Sequence, residues 1–297
     1  MRPSAIVPIL LCTASLVLTF LCLFAGNDKG FMEDYAILTL NTSRIGQNVL
    51  KDLTSPGNGL SSEISSILHI VPESLESDVE NAITSLAKEL GLHDFYSVHI
   101  MDYCEGYYTP SPLPNRTLTK SEIRKNVTSC SNQTAMYNFD PAEILQQELN
   151  NSGHGYIDLE RNLDWPKDIT NGIRALRLAA RATFVLYCIS LGLVGVALIL
   201  ACISFFLDGR LSALVNVVVD WLAFVVVGIA SAIASAVGVK GTEVINEHGE
   251  KIGISADHGS KFLVITWVAT GLMLVASMVW CADCIVGRKR RTTPKHD

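Results

Sequence analysis

The chain is short of charge. Asp, Glu, Lys and Arg make up 18% of its 297 residues, against 49% hydrophobic residues. The shortage is concentrated. Ala5–Ala25, Ala182–Leu207 and Phe262–Ala282 carry no charge at all, and Leu211–Val239 carries one acid, Asp220. No basic residue falls inside any of the four stretches. A helix needs about 20 apolar residues to cross a bilayer core, so each stretch is long enough to span. A soluble globule is excluded, and a four-span membrane protein is expected.

Other absences narrow the function. There is no Gly-x-Ser-x-Gly, no phosphate-binding Walker loop and no His-Glu-x-x-His. The seven histidines (His69, His93, His99, His154, His248, His258 and His296) form no His-x-x-x-His or Cys/His ligand pattern. An enzyme is not expected, nor is a cofactor or a metal site. Repeats and low-complexity tracts are also missing. Residues 27–181 hold 21 acids and 13 bases, a balance of −8 within a whole-chain charge of −6, which argues against a nucleic-acid partner.

What is present fixes the topology. Five Asn-x-Ser/Thr triplets begin at Asn41, Asn115, Asn126, Asn132 and Asn150, all between the first two apolar runs. Confinement to one segment points to a luminal or extracellular location and to N-glycosylation. Lys and Arg near the spans agree with this. Arg2 precedes the first, Arg210 lies between the second and third, and Arg288, Lys289, Arg290 and Arg291 follow the fourth. The positive-inside rule puts all three sites, and so both termini, in the cytosol. The expected order is a cytosolic N-terminus (1–4), span 1 (5–25), an extracellular glycosylated module (26–181), span 2 (182–207), a cytosolic turn (208–210), span 3 (211–239), an outer loop (240–261), span 4 (262–282) and a cytosolic basic tail (283–297). The first run is too long for a signal-peptide core and lacks a small-x-small exit, so it reads as an uncleaved anchor. Arg174, Arg177 and Arg181 share one helical face and read as an outward extension of span 2.

The outer module reads as mixed α/β. Leu75, Val79, Ile83, Leu86 and Leu90 recur at helical spacing, with Ser77 and Glu80 as a capping box and Gly91 as a stop, which predicts an amphipathic helix over 74–91. Phe95–Met101 reads as a strand, with His99 as a surface or sheet histidine. Gly106 permits a turn, and Pro110, Pro112 and Pro114 impose an extended loop carrying the next sequons. A helix is expected over Pro141–Leu149, with Asp140 as N-cap. Cys104 and Cys130 are the only cysteines of the module, and two cysteines in an oxidising compartment pair, so a structural disulfide is expected. His248 and His258 flank the outer loop among acids, where a plain solvated loop is the simpler reading than a titrating one.

Two features lie in or beside the membrane. Asp220 sits about 14 Å into span 3 by helical rise, one turn after Asn216. Such an acid reads as part of an interhelical hydrogen-bond node or as an ion site. Cys281 and Cys284 at the exit of span 4 stand beside Arg288–Arg291, a pattern compatible with palmitoylation and with attraction of the tail to anionic lipid.

The segments His93-Asp94-Phe95-Tyr96-Ser97-Val98 and Asp102-Tyr103-Cys104-Glu105-Gly106 resemble the fungal PalI-type family of cortical-patch, eisosome-associated plasma-membrane proteins. So do Gly253-Ile254-Ser255-Ala256, Gly259-Ser260-Lys261-Phe262, Trp267 and Trp280-Cys281. The layout is distantly claudin-like, although no Gly-Leu-Trp precedes Cys104. The resemblance implies a four-span protein of the fungal plasma membrane that organises a membrane subdomain linked to cell wall and cortical actin. It implies oligomers with itself or with other patch proteins, and no catalytic residues. An accessory sensor of ambient pH or wall stress is the alternative, and a channel or transporter resting on Asp220 a third. For the topology, endoglycosidase is expected to collapse a heterogeneous band to one species, and replacing the five sequon asparagines to abolish that shift. A C-terminal tag reactive on intact cells would overturn the four-span order.

Overall fold

A computed structural model of the chain describes residues 3–44, 91–110, 122–137, 141–151, 167–206, 210–249 and 253–292. The amphipathic helix expected over 74–91 lies outside them except for Gly91, and Asp140, Asn115, Pro112 and Pro114 lie outside as well. After a 3-10 turn, Pro3–Ala5, the first helix α1 spans Ile6–Phe24. Four strands follow: β1 (Leu38–Asn41), β2 (Phe95–Val98), β3 (Tyr103–Thr109) and β4 (Arg124–Cys130). The short helix α2 (Pro141–Asn151) precedes the long helices α3 (Lys167–Phe206) and α4 (Arg210–Gly249). Strand β5 (Ser255–His258) then leads into α5 (Ser260–Thr292).

Four helices are long and apolar enough to cross a membrane: Pro3–Phe24, Arg174–Phe206, Leu211–Glu247 and Ser260–Ile285. They form a ring in which α1 packs on α3 and α5, and α4 packs on the same two. At 40 residues each, α3 and α4 are about 60 Å long, twice a hydrocarbon core, so both project beyond it. The α3 projection carries Arg174, Arg177 and Arg181. Three apolar layers fill the ring. Cys22, Leu23, Tyr187, Ala230, Ala234 and Phe262 close one end, Cys12, Val194, Ala197, Ala223, Val227 and Met273 fill the middle, and Ala5, Ala201, Ala213 and Trp280 close the other end. The Ser4 hydroxyl donates to Asp283 Oδ2 at 2.6 Å, so the two terminal segments meet at this last end.

The five strands form one antiparallel sheet in the order β4-β3-β2-β1-β5. The segment 240–261 is therefore not a plain loop. Its first part continues α4 to Gly249, and its second supplies the edge strand β5, with Leu40 opposite Ala256 and Leu38 opposite His258. The outer edge of β5 is held by Asn246, whose Nδ2 donates to Ala256 O at 3.0 Å while its Oδ1 accepts from Ala256 N at 2.6 Å. A side-chain amide thus mimics one more strand residue.

Two local expectations are corrected. The strand beginning at Phe95 ends at Val98, because His99–Asp102 is the β2–β3 hairpin turn, closed by His99 N donating to Asp102 O at 2.9 Å. The apolar run outlasts the strand because Ile100 and Met101, in that turn, pack onto the end of the helix ring. Gly106 is not at a turn. It lies within β3 opposite Phe95, at a register shift between Glu105 and Gly106.

Cys104 and Cys130 face each other across β3 and β4 and form the expected disulfide, at a sequence separation of 26. Closing a loop of that length constrains the unfolded chain by roughly 3 kcal/mol. Cys104→Ser is expected to lower the unfolding free energy of the detergent-purified protein by about that amount, and peptide mapping without reductant to find the two cysteines joined. Free thiols at both positions in mature protein would contradict it. Gly259 offers a second test. Its N–H donates to Ile37 O at 2.8 Å, and a Cβ there would stand 1.6 Å from Ala36 O, a backbone atom with no rotamer to change. Gly259→Ala is expected to cost more than about 3 kcal/mol in the same assay, at or above the usual cost of overpacking. A loss below about 1 kcal/mol would show that this approach is not required.

Candidate functional site

The densest meeting of elements is the junction between sheet and helix ring. Gly26 ends α1 at φ +84°, a conformation that suits glycine alone, and turns the chain towards β1. A Cβ at Gly26 would lie 2.4 Å from His99 Cδ2 and 2.6 Å from Asp102 Oδ1, so the hairpin turn sits directly on this glycine. On the other side, Gly238 of α4 approaches Ile37 O, and Gly241 contacts Leu38 and Leu176. Glycines on α1, α4 and at the start of α5 thus let β1 and the β2–β3 turn lie flat on the bundle.

His99 is 3% exposed and Asp102 fully buried, so His99 is not the surface residue its strand position implied. Among the described residues the His99 ring nitrogens find no hydrogen-bond partner of normal geometry. Burial pushes His99 down to about 4, the Lys125 charge adds to this, and the Tyr35 backbone opposes it. Burial pushes Asp102 up to about 6, opposed by the Gln133 side chain. The depressed histidine withdraws stability as pH falls from 6.5 towards 4. The raised carboxyl withdraws it as pH rises from about 4 through 6. The two run in opposite directions and flatten the pH response of the junction. His99, Asp102 and Cys104 bring potential ligand atoms within 4.8 Å of one another, but the Cys104 sulfur is committed to the disulfide, so the trio offers no thiolate to a metal.

A polar seam runs inside the ring. Ser231 Oγ lies 2.7 Å from Thr266 Oγ1 and 3.0 Å from Thr270 Oγ1, and Tyr187 Oη also bonds to Thr266. Nearer the terminal end, Asn216 Nδ2 donates to Ser204 Oγ at 2.6 Å and to Ser212 O at 2.8 Å, linking α4 to α3. Asp220, one turn on, is fully buried, and neither carboxylate oxygen has a hydrogen-bond partner among the described residues. The hydrogen bonds expected of this pair are thus carried by Asn216.

The remaining candidate residues are dispersed. Asn126, Asn132 and Asn150 are exposed. Asn41 is half-buried in β1, where its Oδ1 accepts from the Ser43 N–H at 3.0 Å and from the Ser43 hydroxyl at 2.7 Å. Cys281 and Cys284 are of intermediate exposure on the terminal stretch of α5, which continues through Arg288–Arg291. Asn246 and the Gly26–His99–Asp102 contact were not singled out from the sequence. The signal for the latter was a histidine and an acid bracketing an apolar turn, beside a glycine that ends a span.

The matched region of known proteins covers both halves of this arrangement. The SUR7/PalI family profile matches residues 4–279, from the start of α1 to the last turns of the fourth span. SUR7 family protein pun1 of Schizosaccharomyces pombe is 22% identical over 276 residues, which is 89% of this chain and 88% of pun1. No solved structure matches the chain. The family match takes in all four apolar helices and all five strands, and the chain belongs to the SUR7/PalI family.

Proposed function

We propose that this protein is a non-enzymatic organiser of a fungal plasma-membrane subdomain, linked to the cell wall and cortical actin and acting through its concentration in the membrane. The observation that carries the reading is the single sheet drawn from both extramembrane segments, which ties the ends of the helices into one unit. A unit held this way presents a fixed lateral face. Ile189, Val196, Ile199 and Ile203 on α3 and Val218, Leu222, Val225 and Ile229 on α4 point outward, available to lipid or to neighbouring membrane proteins. Family membership supports the same role.

In this reading the sheet lies outside the cell and carries the glycans, and both termini lie in the cytosol. Arg288–Arg291 attracts anionic lipid at about 1 kcal/mol per basic residue, and acylation of Cys281 and Cys284 would add to that hold. The protein assembles with copies of itself or with other patch proteins. Photobleaching of a fluorescently tagged protein is expected to show slowly recovering plasma-membrane patches, and changing Arg288, Lys289, Arg290 and Arg291 to Gln to speed recovery severalfold. A uniformly distributed, freely diffusing wild-type protein would remove the basis for the organiser role.

A further inference from the structure

Outside the junction, one cluster of donor atoms is built from three separate elements. His93 stands just before β2, Glu105 lies on β3, and Glu148 lies on α2. His93 Nδ1 is 3.8 Å from Glu105 Oε2 and 3.9 Å from Glu148 Oε2, and all three atoms lie within 4.8 Å of one another. The three side chains are only 14–15% exposed. His93 Nδ1 and Glu105 Oε2 are shut off from solvent, and neither makes a hydrogen bond among the described residues.

We propose that His93, Glu105 and Glu148 bind a divalent first-row transition cation, Zn2+ being the ion that fits, and that this ion clips α2 onto the outer sheet.

The donor set argues for the ion class. One imidazole nitrogen with two carboxylates suits Zn2+, whereas Ca2+ takes oxygen ligands alone. Ligands on one tetrahedral Zn2+ stand about 3.3 Å apart, so the present spacing closes with small rotations of the two glutamate side chains. A water would complete the shell. The surroundings hold the donors in place as an outer shell does. Ser129 Oγ donates to Glu105 Oε1 at 2.5 Å and fixes that carboxylate. The His93 backbone N–H donates to Tyr96 Oη at 3.2 Å, its carbonyl accepts from Thr42 Oγ1 at 2.5 Å, and its ring packs on Tyr107 at 4.8 Å between centroids.

Electrostatics favours the same occupant. Burial pushes His93 down from its usual value, against the pull of Glu105 and Asp94. Burial and the Glu105 charge push Glu148 up. Two largely buried carboxylates face each other beside the imidazole, and a divalent ion offsets both charges at once. α2 has much to gain, because of the three donors only Glu148 belongs to it.

The test uses the full-length protein in detergent or nanodiscs, stripped with EDTA and dialysed against ZnCl2 or CaCl2. Metal content by mass spectrometry and amide hydrogen exchange of 141–151 are the readouts. About one Zn2+ per chain is expected, with slowed exchange across α2. Glu148→Gln and Glu105→Gln, which keep side-chain size, are expected to weaken Zn2+ uptake by about tenfold or more, at the scale seen when metal-site groups are altered. A simple ion pair between His93 and the glutamates predicts the same protection of α2 in EDTA as in Zn2+. The proposal fails if no Zn2+ is retained, if both glutamine variants retain it undiminished, if Ca2+ serves equally well, or if α2 exchanges at the same rate with and without Zn2+.

Discussion

Everything outside the helices hangs on β1. Its four residues pair on one side with β2, from the long segment after α1, and on the other with β5, from the short segment between α4 and α5. Ile37, just before it, donates to Val98 O and accepts from Gly259 N, so the pairing continues to the start of α5. Without β1 both neighbours would be unsatisfied edges, and among the described residues the Ile37–Gly259 bond would be the backbone link left between the two segments. Because β5 sits between two helix ends, its seating also sets the distance between them. A strand of four residues thereby couples the sheet-side ends of α1, α4 and α5.

The membrane portion relies on different forces. Lipid tails are as apolar as the helix surfaces, so burial alone does not drive helices together. Close packing and internal hydrogen bonds take over. Alanines recur at the contacts (Ala197, Ala201, Ala223, Ala230, Ala234 and Ala276), and hydroxyls of Ser231, Thr266 and Thr270 bond across them. Asp220 is the exception, a buried acid without a hydrogen bond among the described residues. It lies between the Asn216 link and the middle apolar layer, away from the sheet, so the sheet and this acid are separate features of the molecule.

The spans and the disulfide were legible because each has a one-dimensional signature. Bilayer thickness dictates the length of an apolar run, and two cysteines confined to one outer segment have few alternatives. The helix at Pro141 was legible for a similar reason, since proline favours a first turn. What remained hidden depends on tertiary pairing. Nothing in Ser255-Ala256-Asp257-His258, where one apolar residue stands among polar ones, announces a strand, because β5 is defined by β1 and by the Asn246 clamp rather than by its own propensity. His99 was misplaced for the same reason. Strand periodicity assigned it to a sheet face, while the apolar Ile100 and Met101 were drawn into the bundle and carried it under Gly26.

The treatment of the two sheet edges bears on how such a unit meets its neighbours. The β5 edge is closed by Asn246, within the chain itself. The β4 edge carries exposed Arg124 and Asn126. Charge on an edge strand opposes strand addition by a second molecule. The apolar end of the ring is likewise taken, since Ile37 and Ile100 cover Cys22, Leu23, Tyr187 and Phe262. Association through the sheet edges or the capped end is thus discouraged by the fold. The exposed apolar flanks of α1, α3, α4 and α5 remain, and they lie in the plane of the bilayer.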